Sequence, residues 1–130
     1  ICIIAEKPSV AREIARIVGA TEREEGYLKG NGYYVTWAFG HLVMPALPEG
    51  YGIKGFHRDN LPIIPPVFTL VPRQVKGEKG YKPDSGVVAQ IKIIAKLFRE
   101  SDKIIVATDA GREGTYLPLF VRVHRMCHSF

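Results

Sequence analysis

The chain has 130 residues, room for one domain of ordinary size and too little for two well-packed ones. Its 18 Lys and Arg against 13 Asp and Glu give a formal net charge of +5, and 46% hydrophobic with 24% charged residues excludes a disordered segment and predicts a globular domain with a real core. No apolar run approaches the roughly 18–20 residues of a membrane span, and Glu6 interrupts the opening run too soon for a secretory signal, so export and membrane insertion are not expected.

Two cysteines, Cys2 and Cys127, lie near opposite ends. That is the usage of a reducing compartment rather than a disulfide framework, and a cytoplasmic location is the expectation. The positive charge suits an anionic partner such as nucleic acid, and equally ordinary solubility. A chain that begins at isoleucine reads as a segment of something longer.

Ile1 to Ala5 is a continuous apolar, β-branched run that predicts a buried strand. Lys7-Pro8-Ser9 then leads into Val10, Ile14, Ile17 and Val18 at helical spacing, with Gly19 as the stop. A buried strand feeding a helix is the opening half of a βαβ unit, and functional groups collect where such a strand ends, which is where Glu6 and Lys7 stand. Tyr27-Leu28-Lys29 and Tyr33 to Phe39, separated by Gly30-Asn31-Gly32, predict a hairpin whose aromatics Tyr33, Tyr34, Trp37 and Phe39 face a core or, alternatively, stack on single-stranded bases. Gly40-His41-Leu42 follows the second strand.

Pro45 to Pro83 holds most of the chain's nine prolines and is expected to be irregular apart from a strand at Phe68 to Val71. It is also basic, with Lys54, Arg58, Arg73, Lys76, Lys79 and Lys82 against Glu49, Asp59 and Glu78, so it either tracks a phosphate backbone or is a solvated surface. Asp84-Ser85 then caps a helix with apolar Val87, Val88, Ile91, Ile94, Ala95 and Phe98, ending near Ser101. Lys103 to Ala107 is a second buried-strand run, and the polar turn Thr108-Asp109-Ala110-Gly111-Arg112-Glu113-Gly114 follows it. The order predicts an α/β fold with a parallel core sheet flanked by helices, in which Glu6 and Asp109 lie at the carboxyl ends of strands able to be neighbours.

No GxxxxGK[ST] phosphate loop, HExxH or paired CxxC occurs, and Gly30-Asn31-Gly32 lacks the third glycine of a dinucleotide fingerprint. Two carboxylates on adjacent strand ends suit Mg²⁺, which takes oxygen ligands and commonly one or two protein carboxylates with waters or phosphate oxygens. Glu6 and Asp109 meet that minimum, Glu113 is a candidate third acid, and Lys7 and Arg112 are placed to meet a phosphate. The same residues also fit a purely structural role, with Asp109 as a helix cap, Glu6 a solvated strand end and Arg112-Glu113 surface. His124, Cys127 and His128 have spacing for a soft metal but no fourth ligand, and no zinc site is expected there.

In order and spacing, Glu6-Lys7-Pro8-Ser9-Val10-Ala11 after a hydrophobic strand, Gly40-His41-Leu42 after a hairpin strand, and Ala107 to Gly114 resemble the amino-terminal toprim domain of type IA DNA topoisomerases, the topoisomerase III branch above all. The resemblance covers residues 1–114 and implies a toprim, Rossmann-like sheet with an acidic Mg²⁺ site beside the scissile phosphate. It implies that Glu6 binds metal and serves acid/base work, that Asp109 and Glu113 are the first and last acids of an Asp-x-Asp-x-Glu pattern, and that Lys7 and Arg112 contact the phosphate backbone or stabilise developing charge. It implies that His41 lies near the DNA path, that single-stranded DNA and the parent enzyme's other domains are the partners, and that the parent works in the bacterial cytoplasm or nucleoid. The cleaving tyrosine of such an enzyme lies in another domain, so the fragment alone is expected to be inactive. A stand-alone toprim phosphotransferase or nuclease, or a DNA-binding module with an inactive metal site, remain alternatives at this point.

Two departures stand out. Gly111 occupies the middle acidic position, which is expected to weaken one Mg²⁺ site and to remove support for a second metal. After Gly114 the family continues Glu-Leu-Ile-Phe-Arg on a helix, whereas Thr115-Tyr116-Leu117-Pro118 carries a helix-breaking proline. Residues 115–130 are therefore expected to be an atypical tail, out of frame with its ancestor.

Overall fold

The structure, a computed structural model, describes residues 1–109. Strand β1 (Cys2–Ala5) leads into helix α1 (Pro8–Val18), followed by β2 (Glu22–Glu24), β3 (Tyr27–Gly30) and β4 (Tyr33–Trp37). Then come β5 (Val43–Pro45), 3₁₀ turns at Pro48–Tyr51 and Arg58–Asn60, β6 (Leu70–Pro72), β7 (Gln74–Gly77), β8 (Gly80–Pro83), helix α2 (Ser85–Glu100) and β9 (Ile104–Ala107). The main sheet runs β2-β3-β4-β1-β9, and its centre is parallel: β1 pairs with β4 on one side and with β9 on the other, with Ala5 opposite both Trp37 and Ala107. β3 joins β4 through an antiparallel hairpin, so the sheet is mixed at that edge.

β1 is buried along its whole length because both of its faces are covered. Cys2 and Ile4 pack with Val87, Ile91, Ile94, Leu97 and Phe98 of α2, whereas Ile3 and Ala5 pack with Ala11 and Ala15 of α1. Alternate residues of one strand thus serve two helices on opposite faces. Burial pushes the Cys2 thiol up to about 12, which keeps it protonated and inert at neutral pH.

The expected strand, helix, hairpin, helix, strand order holds, and the hairpin aromatics pack on the two cores, Tyr34 edge-on against Tyr27 with ring centroids 5.8 Å apart. Asn31 (φ 50°) and Gly32 (φ 79°) both take left-handed conformations at the turn, which Asn-Gly accommodates at least cost. Helix α1 differs from its reading in one respect. Ala11, Ile14, Ala15 and Val18 face the sheet, while Val10 is 41% and Ile17 75% exposed. The small alanines let the helix lie close on the strands, and that stripe also has the i, i+3, i+4, i+7 spacing.

The segment from Pro45 to Pro83 is more regular than its composition suggests. β6 falls near the expected strand, β5 pairs with it, and β7 and β8 form a second hairpin; β2 is likewise a strand that no apolar pattern announces. These strands are three or four residues long and exposed or half-buried, so neither length nor alternation separates them from loop. The exposed edge strand β2 is tied by charge, Lys29 lying 2.7 Å from Glu24 and 3.6 Å from Glu22.

Candidate functional site

The parallel pairing of β4, β1 and β9 sets three carboxyl ends side by side. Because α1 and α2 lie on opposite faces, the β1/β9 boundary is where the chain's connections diverge, the crevice in which open α/β sheets bind ligands. Glu6 follows β1 and Asp109 lies two residues beyond β9. The Asp109 backbone N–H donates to Glu6 Oε2 at 3.3 Å, across 103 residues of sequence. Glu6 is half-buried and Asp109 exposed, so the pair opens to solvent at the sheet edge.

Lys7 is the N-cap residue of α1, in extended conformation (φ −136°, ψ 151°), and its carbonyl accepts from Ala11 N–H at 3.0 Å. Pro8 opens the helix, where its missing N–H costs nothing. The exposed Lys7 side chain and the positive end of α1 therefore stand immediately beside Glu6. His41 is exposed on the loop that follows β4, at the same sheet edge. Gly40 before it has φ +74°, and a Cβ there would stand 3.4 Å from Arg73 Nη1.

Arg73 and Asp84 organise this edge, and Arg73's part escapes sequence reasoning. Arg73 Nη2 donates to Asp84 Oδ2 at 2.9 Å, Nη1 to the Phe39 carbonyl at 3.4 Å, and the guanidinium lies 5.9 Å from the Phe39 ring centroid. Its backbone N–H donates to the Leu42 carbonyl at 2.9 Å, which ties down the Gly40-His41-Leu42 segment from both sides. Asp84 also caps α2 as expected, Oδ1 accepting from Gly86 and Val87 N–H. The Arg73 hydrogen bond is the foremost cause holding the Asp84 carboxyl below the usual carboxylate range. Sequence reading groups Arg73 with the basic insert; its partner is a carboxylate of the chain itself, and only the 11-residue separation of two opposite charges hints at that.

Gln90 is a second such residue, 5% exposed in the core-facing stripe of α2. Its Nε2 lies 2.8 Å from the Trp37 carbonyl, 3.0 Å from that of Gly26 and 3.2 Å from Thr36 Oγ1, which fixes the carboxyl end of β4 against α2.

Comparison with known proteins bears on this arrangement directly, since the Toprim domain profile matches residues 1–122. The chain belongs to the Toprim domain family. It is also similar to proteins named DNA topoisomerase 3: 40% identical over 116 residues to that of Shouchella clausii, 42% over 114 residues to that of Bacillus subtilis and 44% over 114 residues to that of Bacillus thuringiensis. In each case 86% of this chain is covered and 14% of the relative, so the chain spans about one seventh of the length of the curated relatives it matches. The toprim fold expected from the sequence is the fold observed.

Toprim folds imply a divalent cation, and the donor set suits one. Carboxylates that follow two neighbouring strand ends, with Glu6 Oε2 held by the Asp109 backbone N–H and both residues open to solvent, offer hard oxygen ligands alongside waters or phosphate oxygens. Arg112, Glu113 and Gly111 lie outside the described residues, as do His124, Cys127, His128 and the whole tail after Gly114. Among the described residues no cluster of three or more acids, histidines or cysteines forms.

Proposed function

We propose that the chain is the Mg²⁺-binding toprim module of a type IA DNA topoisomerase of the topoisomerase III kind, assisting single-strand cleavage and religation by a tyrosine outside these 130 residues. The observation that carries the reading is the hydrogen-bonded approach of Glu6 and Asp109 at the β1/β9 switch point of a Toprim domain. Glu6 and Asp109 hold the cation, with Glu113 as the third acid. When bound, the metal supplies Lewis-acid charge neutralisation at a phosphodiester.

This chain's own residues do the rest. One oxygen of Glu6 is engaged by the Asp109 N–H, and the carboxylate has a second to offer a cation or a proton. Glu6 thereby serves both as ligand and as the group that takes up or returns a proton at the departing or attacking oxygen. Lys7, reinforced by the positive end of α1, and Arg112 hold phosphate oxygens, and His41 lies along the DNA path. With Gly111 in the middle acidic position, a single cation is the proposed stoichiometry. The toprim module proper is residues 1–114 and the stretch 115–130 is a tail out of frame with its ancestor, which sequencing of the gene across Gly114 tests: a neighbouring frame without Leu-Ile-Phe-Arg refutes it. A DNA enzyme of this kind works in the cytoplasm.

Isothermal titration of the chain with MgCl₂ is the direct test. One saturable site is expected, weakened at least tenfold by Glu6→Gln or by Asp109→Asn with the fold unchanged by circular dichroism. Failure of the parent chain to bind Mg²⁺, or unaltered binding by both variants, overturns the assignment.

A further inference from the structure

The β7–β8 hairpin is not used by the acidic site, and its surface has a chemistry of its own. Its register pairs Lys76 with Tyr81 and Val75 with Lys82, and the strands close through Glu78-Lys79 between Gly77 and Gly80. Residues directly opposite share a face of an antiparallel pair, about 5 Å apart at Cβ. One face therefore presents a lysine beside a tyrosine that is 64% exposed. The other carries Lys82, whose stem lies over Gly77 (Cδ 3.4 Å from the position of an added Cβ), and Lys79 stands at the tip. Three lysines against one glutamate in seven residues make a strongly positive projection.

An isolated two-stranded hairpin is marginal in water, so its persistence depends on its base. The base is clamped: the Asp84 N–H donates to the Arg73 carbonyl at 2.9 Å, the Arg73 N–H to the Leu42 carbonyl at 2.9 Å, and the two side chains pair at 2.9 Å. Leu42 belongs to the loop after β4, at the sheet edge that carries Glu6 and Asp109. The base of the hairpin is thus hydrogen-bonded to the segment that follows β4, the strand neighbouring β1.

We propose that this arm is a binding surface for single-stranded DNA, with Tyr81 as a stacking platform for an unpaired base and Lys76, Lys79 and Lys82 on the flanking phosphates. Charge complementarity selects a polyanion, and the exposed ring beside an ammonium selects one whose bases are unstacked, because a duplex offers no free base face. The inference rests on DNA as the substrate of the parent enzyme, but not on the metal site.

Fluorescence anisotropy of the full chain with a labelled oligothymidine, over a range of salt concentrations, tests it against a duplex of mixed sequence. The single strand is expected to bind more tightly than the duplex. Tyr81→Ala should weaken it about tenfold with the salt slope kept, and Tyr81→Phe should restore binding. The combined Lys76→Gln, Lys79→Gln and Lys82→Gln variant, which retains the aliphatic stems, should flatten the slope of log K against log salt by about 2. If the parent binds and these variants match it, or if Tyr81→Ala loses duplex and single strand alike, the hairpin assignment is wrong while the DNA reading stands. If the parent binds no DNA even at low salt, both fall.

Discussion

At the scale of single residues, the site depends on pairs that meet across long stretches of chain. Asp84 shows the energetics most plainly, because one carboxylate caps α2 and holds Arg73. Its folded-state pKa lies below its unfolded one, so its contribution to stability is complete above about pH 4 and is lost as pH falls through the lower folded value. Asp84→Asn is therefore expected to melt below the parent at neutral pH, with the gap closing as pH is lowered past that point; a gap that persists unchanged in acid would mean that charge is not its source. Glu6 and Asp109 were legible in sequence because each follows a strand-length β-branched run, and a strand that ends in an acid places that acid at a sheet edge. Arg73 and Gln90 were not, since neither residue type nor local spacing tells that a partner waits 11 or 53 residues away.

At the scale of elements, α1 and α2 are both amphipathic, but they meet the sheet differently. α2 inserts large side chains, Ile94 at 0% and Leu97 at 1% exposure, whereas α1 rests on Ala11 and Ala15. Ile94→Ala should cost about 2–5 kcal/mol in chemical denaturation, through lost burial and the cavity left behind. Ile17→Ala, at a position 75% exposed, should change stability by no more than about 0.5 kcal/mol. Equal effects at the two sites would contradict the assignment of the faces. The apolar pattern made both helices legible, but at α1 it drew attention to the bulky residues, and the alanines that make the contact stood out less. The short strands β5, β7 and β8 escaped for a related reason: their order comes from partners and from the Arg73 clamp, not from a buried face of their own.

At the scale of the whole molecule, the chain is a sheet edge with an acidic pair, a cationic helix start and a basic arm, and it covers 14% of the length of the topoisomerase relatives. The proposed function places the nucleophilic tyrosine outside these 130 residues. A plasmid relaxation assay on the chain, with Mg²⁺ present, is accordingly expected to show no loss of supercoils; relaxation by the chain would overturn the modular reading. Mg²⁺-dependent phosphodiester cleavage that disappears in Glu6→Gln would point instead to a stand-alone toprim enzyme.

The net charge of +5 and the run of lysines from Lys76 to Lys82 are properties of the sequence, and so are the core strands β1, β3, β4 and β9, the helices and the acids at strand ends, because local periodicity and β-branching act over a few residues. The tertiary structure decided which strands are neighbours, and hence that the Asp109 backbone meets Glu6 across the sheet. It also decided that Arg73 belongs to Asp84 while Lys76, Lys79 and Lys82 stay on the hairpin surface. Pairing between distant segments is set by packing of the whole chain against two faces of one sheet, and no local pattern carries that information.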